Sequence, residues 1–213
     1  MKNKKEHIEK DSTNAEDRIL KAAVEIFAEK GYDAAGVDEI AKRANVTKPL
    51  IYYYFKGKQT ILEESIKRFI KKVIQEKTQY ISTTSSISKE TLYKGLDEKM
   101  AMFEKNEKIM KVIAMELLKE KPADESLFNL VKPMFDIAIP KFEEIGFDVK
   151  DRMDLLITSY FFGMAPTLMF FLFRDMFCEF HQIDKAELDS KFASIVKSLY
   201  IDYFISHFGD NTK

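Results

Sequence analysis

The sequence predicts an all-α protein in two parts: an N-terminal three-helix helix-turn-helix domain and a C-terminal helical domain. Three observations predict it. Helix breakers are scarce, with 7 Gly and 5 Pro in 213 residues. Lys, Glu, Leu and Ile, which enter helices at small cost, are plentiful. Apolar residues recur at three- and four-residue spacing through about nine segments. Hydrophobic residues at 46% against 32% charged give the balance of a globular chain rather than a disordered one.

The chain opens on a polar stretch, KNKKEHIEKDSTN, with no apolar core of the kind a secretory signal needs. Residues 1–14 are expected to form a flexible arm. The first helix follows, with Asn14 as candidate cap and Ile19, Leu20, Ala23, Val24 and Phe27 as its buried stripe. Gly31 suits the left-handed residue that ends a helix. Val37 to Ala44 form the second helix, with Ile40 and Ala41 inward. At Asn45 the backbone must turn, and Asn tolerates the αL region better than most residues. Val46 plugs that turn. Thr47 can cap a third helix, and Pro49 fits its first turn, where a missing N–H costs nothing. Ile51 and Phe55, four apart, share the face that holds this helix to the core. The opposite face carries Lys48, Leu50, Tyr52, Tyr53 and Tyr54. From Lys42 through Leu62 there are five cations and no acid, although the whole chain is only −1. Such local basicity is what a phosphate backbone responds to.

A long fourth helix is expected over about 58–80, with Ile61, Leu62, Ile66, Phe69, Ile70, Val73 and Ile74 inward. The run STTSSIS reads as a linker, and further helices follow near 89–104, 107–120, 124–145, 150–178 and 185–207. The domain boundary is placed near residue 60, inside the fourth helix, so 15–60 form the first domain and 61–213 the second. One segment, Leu155 to Phe173, has 19 residues without a charge, close to the length that spans a bilayer. It contains Thr158, Ser159, Gly163, Pro166 and Thr167, is followed at once by Arg174 and Asp175, and has no second segment like it. A core helix with two buried faces is the expectation, and no membrane partner.

Signatures of catalysis are missing. Gly57-Lys58-Gln59-Thr60 has the ending of a phosphate-binding loop, but Tyr52 stands where the earlier glycine belongs. Cys178 and His181 offer two metal ligands without a second pair, and no dinucleotide fingerprint occurs. The expectation is no enzyme, no metal and no cofactor. A single cysteine excludes an intrachain disulfide and fits a reducing, cytoplasmic setting.

The stretch AEDRILKAAVEIFAEKGYDAAGVDEIAKRANVTKPLIYYYFKGKQTIL, about residues 15–62, resembles the tetracycline-repressor (TetR) family of bacterial regulators. The opening helix ending F-A-E-K-G-Y, the D-E-I-A of the second helix and V-T-K-P-L-I-Y-Y-Y-F-K-G-K carry the resemblance. Three positions depart from the common pattern: Gly36 where Thr is usual, Asn45 for Gly, and Tyr54 for a frequent His. The resemblance implies a homodimer that reads a palindromic operator in double-stranded DNA. Thr47, Tyr52, Tyr53, Tyr54 and Lys58 match DNA-contacting positions of the family. Lys48 and Leu50 are the base-edge candidates, since Lys donates to guanine and Leu touches a thymine methyl. Pro49 lies among them, and Lys56 joins the set on charge. The family pairs its last two helices with those of a twin subunit, which assigns Phe170, Phe173, Phe192, Ile195, Val196, Leu199 and Tyr203 to a dimer interface.

Beyond residue 60 lie 16 of the 18 Phe and nine of the 10 Met. Met is adaptable and lines permissive sites. Met102, Phe103, Met110, Ile113, Phe128, Met134, Phe135, Tyr160, Phe161 and Met164 are candidates for a pocket taking a lipophilic small-molecule effector. Glu116 shares the face of Ile109, Val112 and Ile113 and could select a cationic one. Either set could instead fill the core. The sequence thus points to a DNA-binding regulator, a repressor released by its effector. The alternative is a regulator without an effector, or one controlled by a protein; more distant is a lipid carrier or an enzyme.

Overall fold

The computed structural model describes residues 2–83, 89–119, 132, 135–136, 139–140, 142–144, 147 and 151–209, with side chains described from 15–76 and from 89 onward. The chain is all-α. Eight helices are numbered here: α1 Lys2–Lys30, α2 Val37–Ala44, α3 Lys48–Tyr54, α4 Lys58–Thr83, α5 Lys89–Lys105, α6 Glu107–Leu117, α7 Arg152–His181, and α8, in which Lys185–Val196, Lys197–Ile201 and Asp202–Phe208 run on without a break. Among the described residues the only strand-like pairing is one bridge between Phe147 and Gly209. The helix expected over 124–145 falls largely outside the described residues.

Contacts divide the chain into two units, Met1–Val73 with Lys108–Leu130, and Ile74–Glu107 with Val131–Lys213. The division therefore falls at Val73 on α4, later than the expected 60, and α6 goes with the first unit. Nor does α1 begin at Asn14: its backbone is helical from Lys2. No Gly or Pro interrupts 2–30, and Lys and Glu there are good helix formers, so nothing in the sequence stops the helix earlier.

In the first unit the core gathers Ile19, Leu20, Ala23, Ile26 and Phe27 of α1 against Ile40, Ala41 and Ala44 of α2, Ile51, Phe55, and Ile61, Leu62 and Ile66 of α4. Ile26 is fully buried and Val24 only half, so the inward stripe of α1 is rotated slightly from the expected one. Gly31 closes α1 at φ +84°, a conformation L-residues rarely adopt. An ion-pair cluster ties α4 to α1: Arg68 meets Asp17 at 2.9 Å, its own-helix Glu64 at 2.8 Å, and Glu16.

The second unit buries Ile139, Phe147, Leu155, Phe204 and Phe208 together, with Leu92, Phe135, Phe142 and Tyr200 packed against them. Both α7 and α8 widen to π-helix, at Thr158–Met164 and Lys197–Ile201. The two widened turns meet where Tyr200 lies over Gly163. A Cβ on Gly163 would stand 2.8 Å from the Tyr200 ring, so any larger residue requires that ring to shift. Lys99 and Thr167 both donate to the Gly163 carbonyl, at 3.0 and 2.9 Å.

Candidate nucleic-acid interface

The turn between α2 and α3 forms as its residue types dictate. Asn45 takes φ 53°, ψ 52°, and its N–H reaches back to Lys42 while Val46 N–H bonds Ala41 O at 3.0 Å. Thr47 precedes α3 in extended conformation, but its hydroxyl makes no cap bond; its carbonyl instead accepts from Leu50 and Ile51. Pro49 occupies the first turn. The expected two faces of α3 are both present. Ile51 is fully buried (0% exposed) and Phe55 nearly so, while Tyr53 is 79% exposed and Tyr52 half exposed. Thr47, Lys48, Pro49 and Lys56 are also exposed, and Leu50, Tyr54 and Lys58 half-buried. Tyr54 is steadied by edge contact with Tyr53, ring centroids 5.1 Å apart, and by Phe55 at 6.4 Å.

The cations of this region are not equally available. Lys48 is ion-paired with Asp38 of α2 at 2.8 Å, and that hydrogen bond raises its pKa above the usual lysine value. Arg43 is paired with Glu29 of α1 at 2.5 Å; the bond lowers the glutamate and raises the arginine. Lys58 departs furthest from expectation. Its ammonium donates to the backbone carbonyls of Tyr32 (2.7 Å), Asp33 (3.2 Å) and Ala35 (3.1 Å) and lies 4.3 Å from the centroid of the Tyr32 ring. It is held by its own chain, because the loop between α1 and α2 turns three carbonyls toward the start of α4. Among the described residues, Lys42 and Lys56 carry no ion pair or hydrogen bond. An acid-free run in sequence is thus not acid-free in space, since Glu29 and Asp38 come from preceding helices.

The comparisons bear on this stretch first. Residues 19–65 match the model of the bacterial regulatory proteins, tetR family. The N-terminal domain is that of the tetR family. This tetR-family domain is 45% identical over 51 residues to the biofilm operon icaADBC HTH-type negative transcriptional regulator IcaR of Staphylococcus aureus, covering 24% of this chain and 27% of IcaR. It is 38% identical over 68 residues to the HTH-type transcriptional activator FasR of Mycolicibacterium smegmatis, covering 32% of this chain and 31% of FasR. The chain thus matches less than a third of the length of either relative. Over the whole fold it resembles the regulator FadR of Bacillus subtilis, crystallised with stearoyl-CoA, at TM-score 0.66 and 21% identity, covering 85% of this chain and 97% of that one. A TetR family regulator from Marinobacter aquaeolei aligns at TM-score 0.68 and 13% identity, covering 91% and 97%. At those identities the likeness is one of fold.

The residues expected to line an effector pocket fall in both units. Met110, Ile113 and Glu116 are buried in the first unit, whereas Met102, Phe103, Phe135, Tyr160 and Met164 belong to the second. Within the second, Phe135 packs on Tyr160 at 4.8 Å and Phe103 on Phe171 at 5.4 Å. Phe161 is 64% exposed and so lines no interior pocket; the wide π turn carries it to the surface with Phe162. Phe128 and Met134 lie outside the described residues.

Of the expected interface positions, Phe173, Ile195, Leu199 and Tyr203 are exposed, Leu199 to 71%. Phe170 and Phe192 are half-buried and stack on each other at 3.8 Å. Val196 is a correction: it is buried by its own chain, 7% exposed, because α8 turns that residue inward. Met169, Met176, Phe177 and Phe180 extend the exposed apolar face and were not anticipated. Arg174, which follows the apolar segment 155–173, is 1% exposed, lies 3.2 Å from Asp189 and 4.7 Å from the Phe171 ring, and leaves its Nε without a hydrogen-bond partner among the described residues. By length and composition α7 is apolar enough to cross a membrane, and about a third of its most apolar window is buried.

Proposed function

We propose that the chain is a homodimeric DNA-binding transcriptional regulator, a cytoplasmic repressor that a lipophilic small molecule releases from its operator. The observation that carries the reading is the two-faced α3: Ile51 anchors it while Lys48, Tyr52 and Tyr53 face outward from a tetR-family domain. Thr47, Pro49, Leu50, Tyr54 and Lys56 flank this face. Tyrosine hydroxyls and Lys56 suit phosphate oxygens, which position a protein without reading sequence. Lys48 and Leu50 are the residues that read base edges. Two such helices in one dimer would enter major grooves about one helical turn, roughly 34–36 Å, apart.

The apolar face of α7 and α8 supports a dimer. Phe173, Met176, Phe180, Ile195 and Leu199 are exposed on these two helices, and exposed apolar patches mark interaction sites. FadR of Bacillus subtilis is crystallised with stearoyl-CoA, and the Phe- and Met-rich second unit here suits a lipophilic ligand of that chemical kind. Since α4 runs through both units, a ligand that favours one setting of that helix would alter how the recognition helices are presented. Sedimentation equilibrium at micromolar concentration tests the dimer: a species of twice 24.8 kDa is expected, and a stable monomer sinks the proposal. Titration of the DNA complex with stearoyl-CoA tests the effector: release is expected, and an unmoved DNA affinity would favour the effector-free alternative.

A further inference from the structure

A cavity of about 320 Å³ opens within the first unit, between the end of α1, the loop that follows it, and α6. Its walls are apolar: Phe27, Val112 and Met115. Its polar lining is Lys30, Tyr32, Asp33, Glu116 and Lys119. Glu116 is buried, 5% exposed, on the inner face of α6. Lys119, one turn later, is exposed, bonds the Glu116 carboxylate at 2.5 Å, and places its ammonium 4.7 Å from the centroid of the Tyr32 ring.

A buried carboxylate beside an aromatic face, lined with apolar side chains, is the arrangement that recognises alkylammonium groups. Lys119 itself shows the chemistry: a primary ammonium on an alkyl stem, resting on both Glu116 and Tyr32. It comes from an exposed position two residues beyond the end of α6, so it can leave without disturbing the core. A buried carboxylate is costly without a cation nearby, and an incoming cation that takes the place of Lys119 keeps Glu116 neutralised.

We propose that this cavity binds an organic cation with an apolar body, its ammonium taking the place of the Lys119 ammonium between Glu116 and Tyr32 and its body lying on Phe27, Val112 and Met115. The site stands apart from the DNA-binding reading, since it rests only on the cavity and its charges. The loop at its mouth, carrying Tyr32 and Asp33, is the loop Lys58 holds, and it leads directly into α2.

The test is calorimetric titration of the full chain with decyltrimethylammonium below its micelle concentration, with decanol as the uncharged control. Saturable binding is expected, with decanol at least tenfold weaker. Glu116→Gln, close in shape, should weaken the ammonium at least tenfold. Lys119→Ala, at an exposed position where misfolding is not a concern, should tighten it several-fold by removing the internal competitor. The methyl resonance of Met115 should shift during the titration. Absence of saturable binding overturns the proposal. So does an affinity unchanged in both variants with the Met115 methyl unmoved, which would place the detergent on the exposed apolar helices instead.

Discussion

The Lys48 ammonium rests on the Asp38 carboxylate, 2.8 Å away, across the turn that joins α2 to α3. Lys48 is the best base-reading candidate of this chain, and it is already engaged by an anion ten residues upstream. Both side chains are well exposed, so the pair adds little to stability. Its consequence is electrostatic: a DNA strand must draw Lys48 away from Asp38 and tolerate the carboxylate nearby. Asp38→Asn should therefore strengthen binding to any duplex by about three- to tenfold and narrow the gap between specific and nonspecific sites. Anisotropy titrations against operator and shuffled duplexes check it; unchanged affinities would mean that Asp38 stands clear of the DNA.

Lys48→Ala and Tyr53→Ala should differ in kind. Losing a base contact costs about 1–3 kcal/mol at one base pair and relaxes preference there. Losing a phosphate contact weakens all sequences alike. Binding of each variant to a panel of single-base operator changes separates them. A uniform loss for Lys48→Ala would move that residue to the phosphate set.

Lys58 and Lys56 are two residues apart and should behave oppositely. Lys58→Met removes an ammonium that three carbonyls share, so it should cost about 1.5–3 kcal/mol of stability while leaving the salt dependence of DNA binding alone. Lys56→Ala should leave stability unchanged and lower the salt slope by about one unit. Urea unfolding and a salt titration of affinity read both. A fall in slope for Lys58→Met would mean that its carbonyl bonds give way to phosphate when DNA arrives.

Gly163→Ala would push a methyl group to 2.8 Å from the partly buried Tyr200 ring. Overpacking of this kind typically costs 1–3 kcal/mol, about what is expected here by thermal or urea unfolding. Tyr200→Leu in the same chain should recover part of the loss, because it removes the atoms that collide. Additive losses in the double variant would mean that the contact matters less than its closeness suggests.

Asp202 accepts from Lys89 at 2.9 Å and from the Tyr93 hydroxyl at 2.8 Å, and these bonds hold its carboxyl below the usual aspartate value. A folded-state pKa below the unfolded one gives stability that is present above the unfolded pKa and is lost as pH falls through the folded one. Asp202→Asn should therefore lower stability near neutral pH and flatten the acid limb of the profile below about pH 4. An acid limb identical to that of the unaltered chain would show that the interaction is screened by solvent.

Much of this was legible in the chain because it depends on neighbours in sequence. The αL turn at Asn45, the proline start of α3 and the burial of Ile51 and Phe55 against exposed tyrosines follow from residue type and helical spacing alone. The cations were misjudged because their partners are remote: Glu29 reaches Arg43 and Asp38 reaches Lys48 from other helices, and Lys58 answers carbonyls 23 to 26 residues earlier. Side-chain composition marks a charge run but not what folds back onto it. Composition marked Phe161 for an interior pocket and family resemblance marked Val196 for an interface; neither signal carries the π turns, and in the fold Phe161 is exposed on that of α7 and Val196 is buried just before that of α8.

The most direct measurement is equilibrium binding of the full chain to a duplex covering the DNA upstream of its own coding sequence, against a shuffled duplex of the same composition. A dimeric tetR-type reader should bind the former tighter by a factor on the order of 10³ or more at physiological salt, and Tyr53→Ala should weaken both. Equal affinity for the two duplexes, or no binding to either, would contradict it.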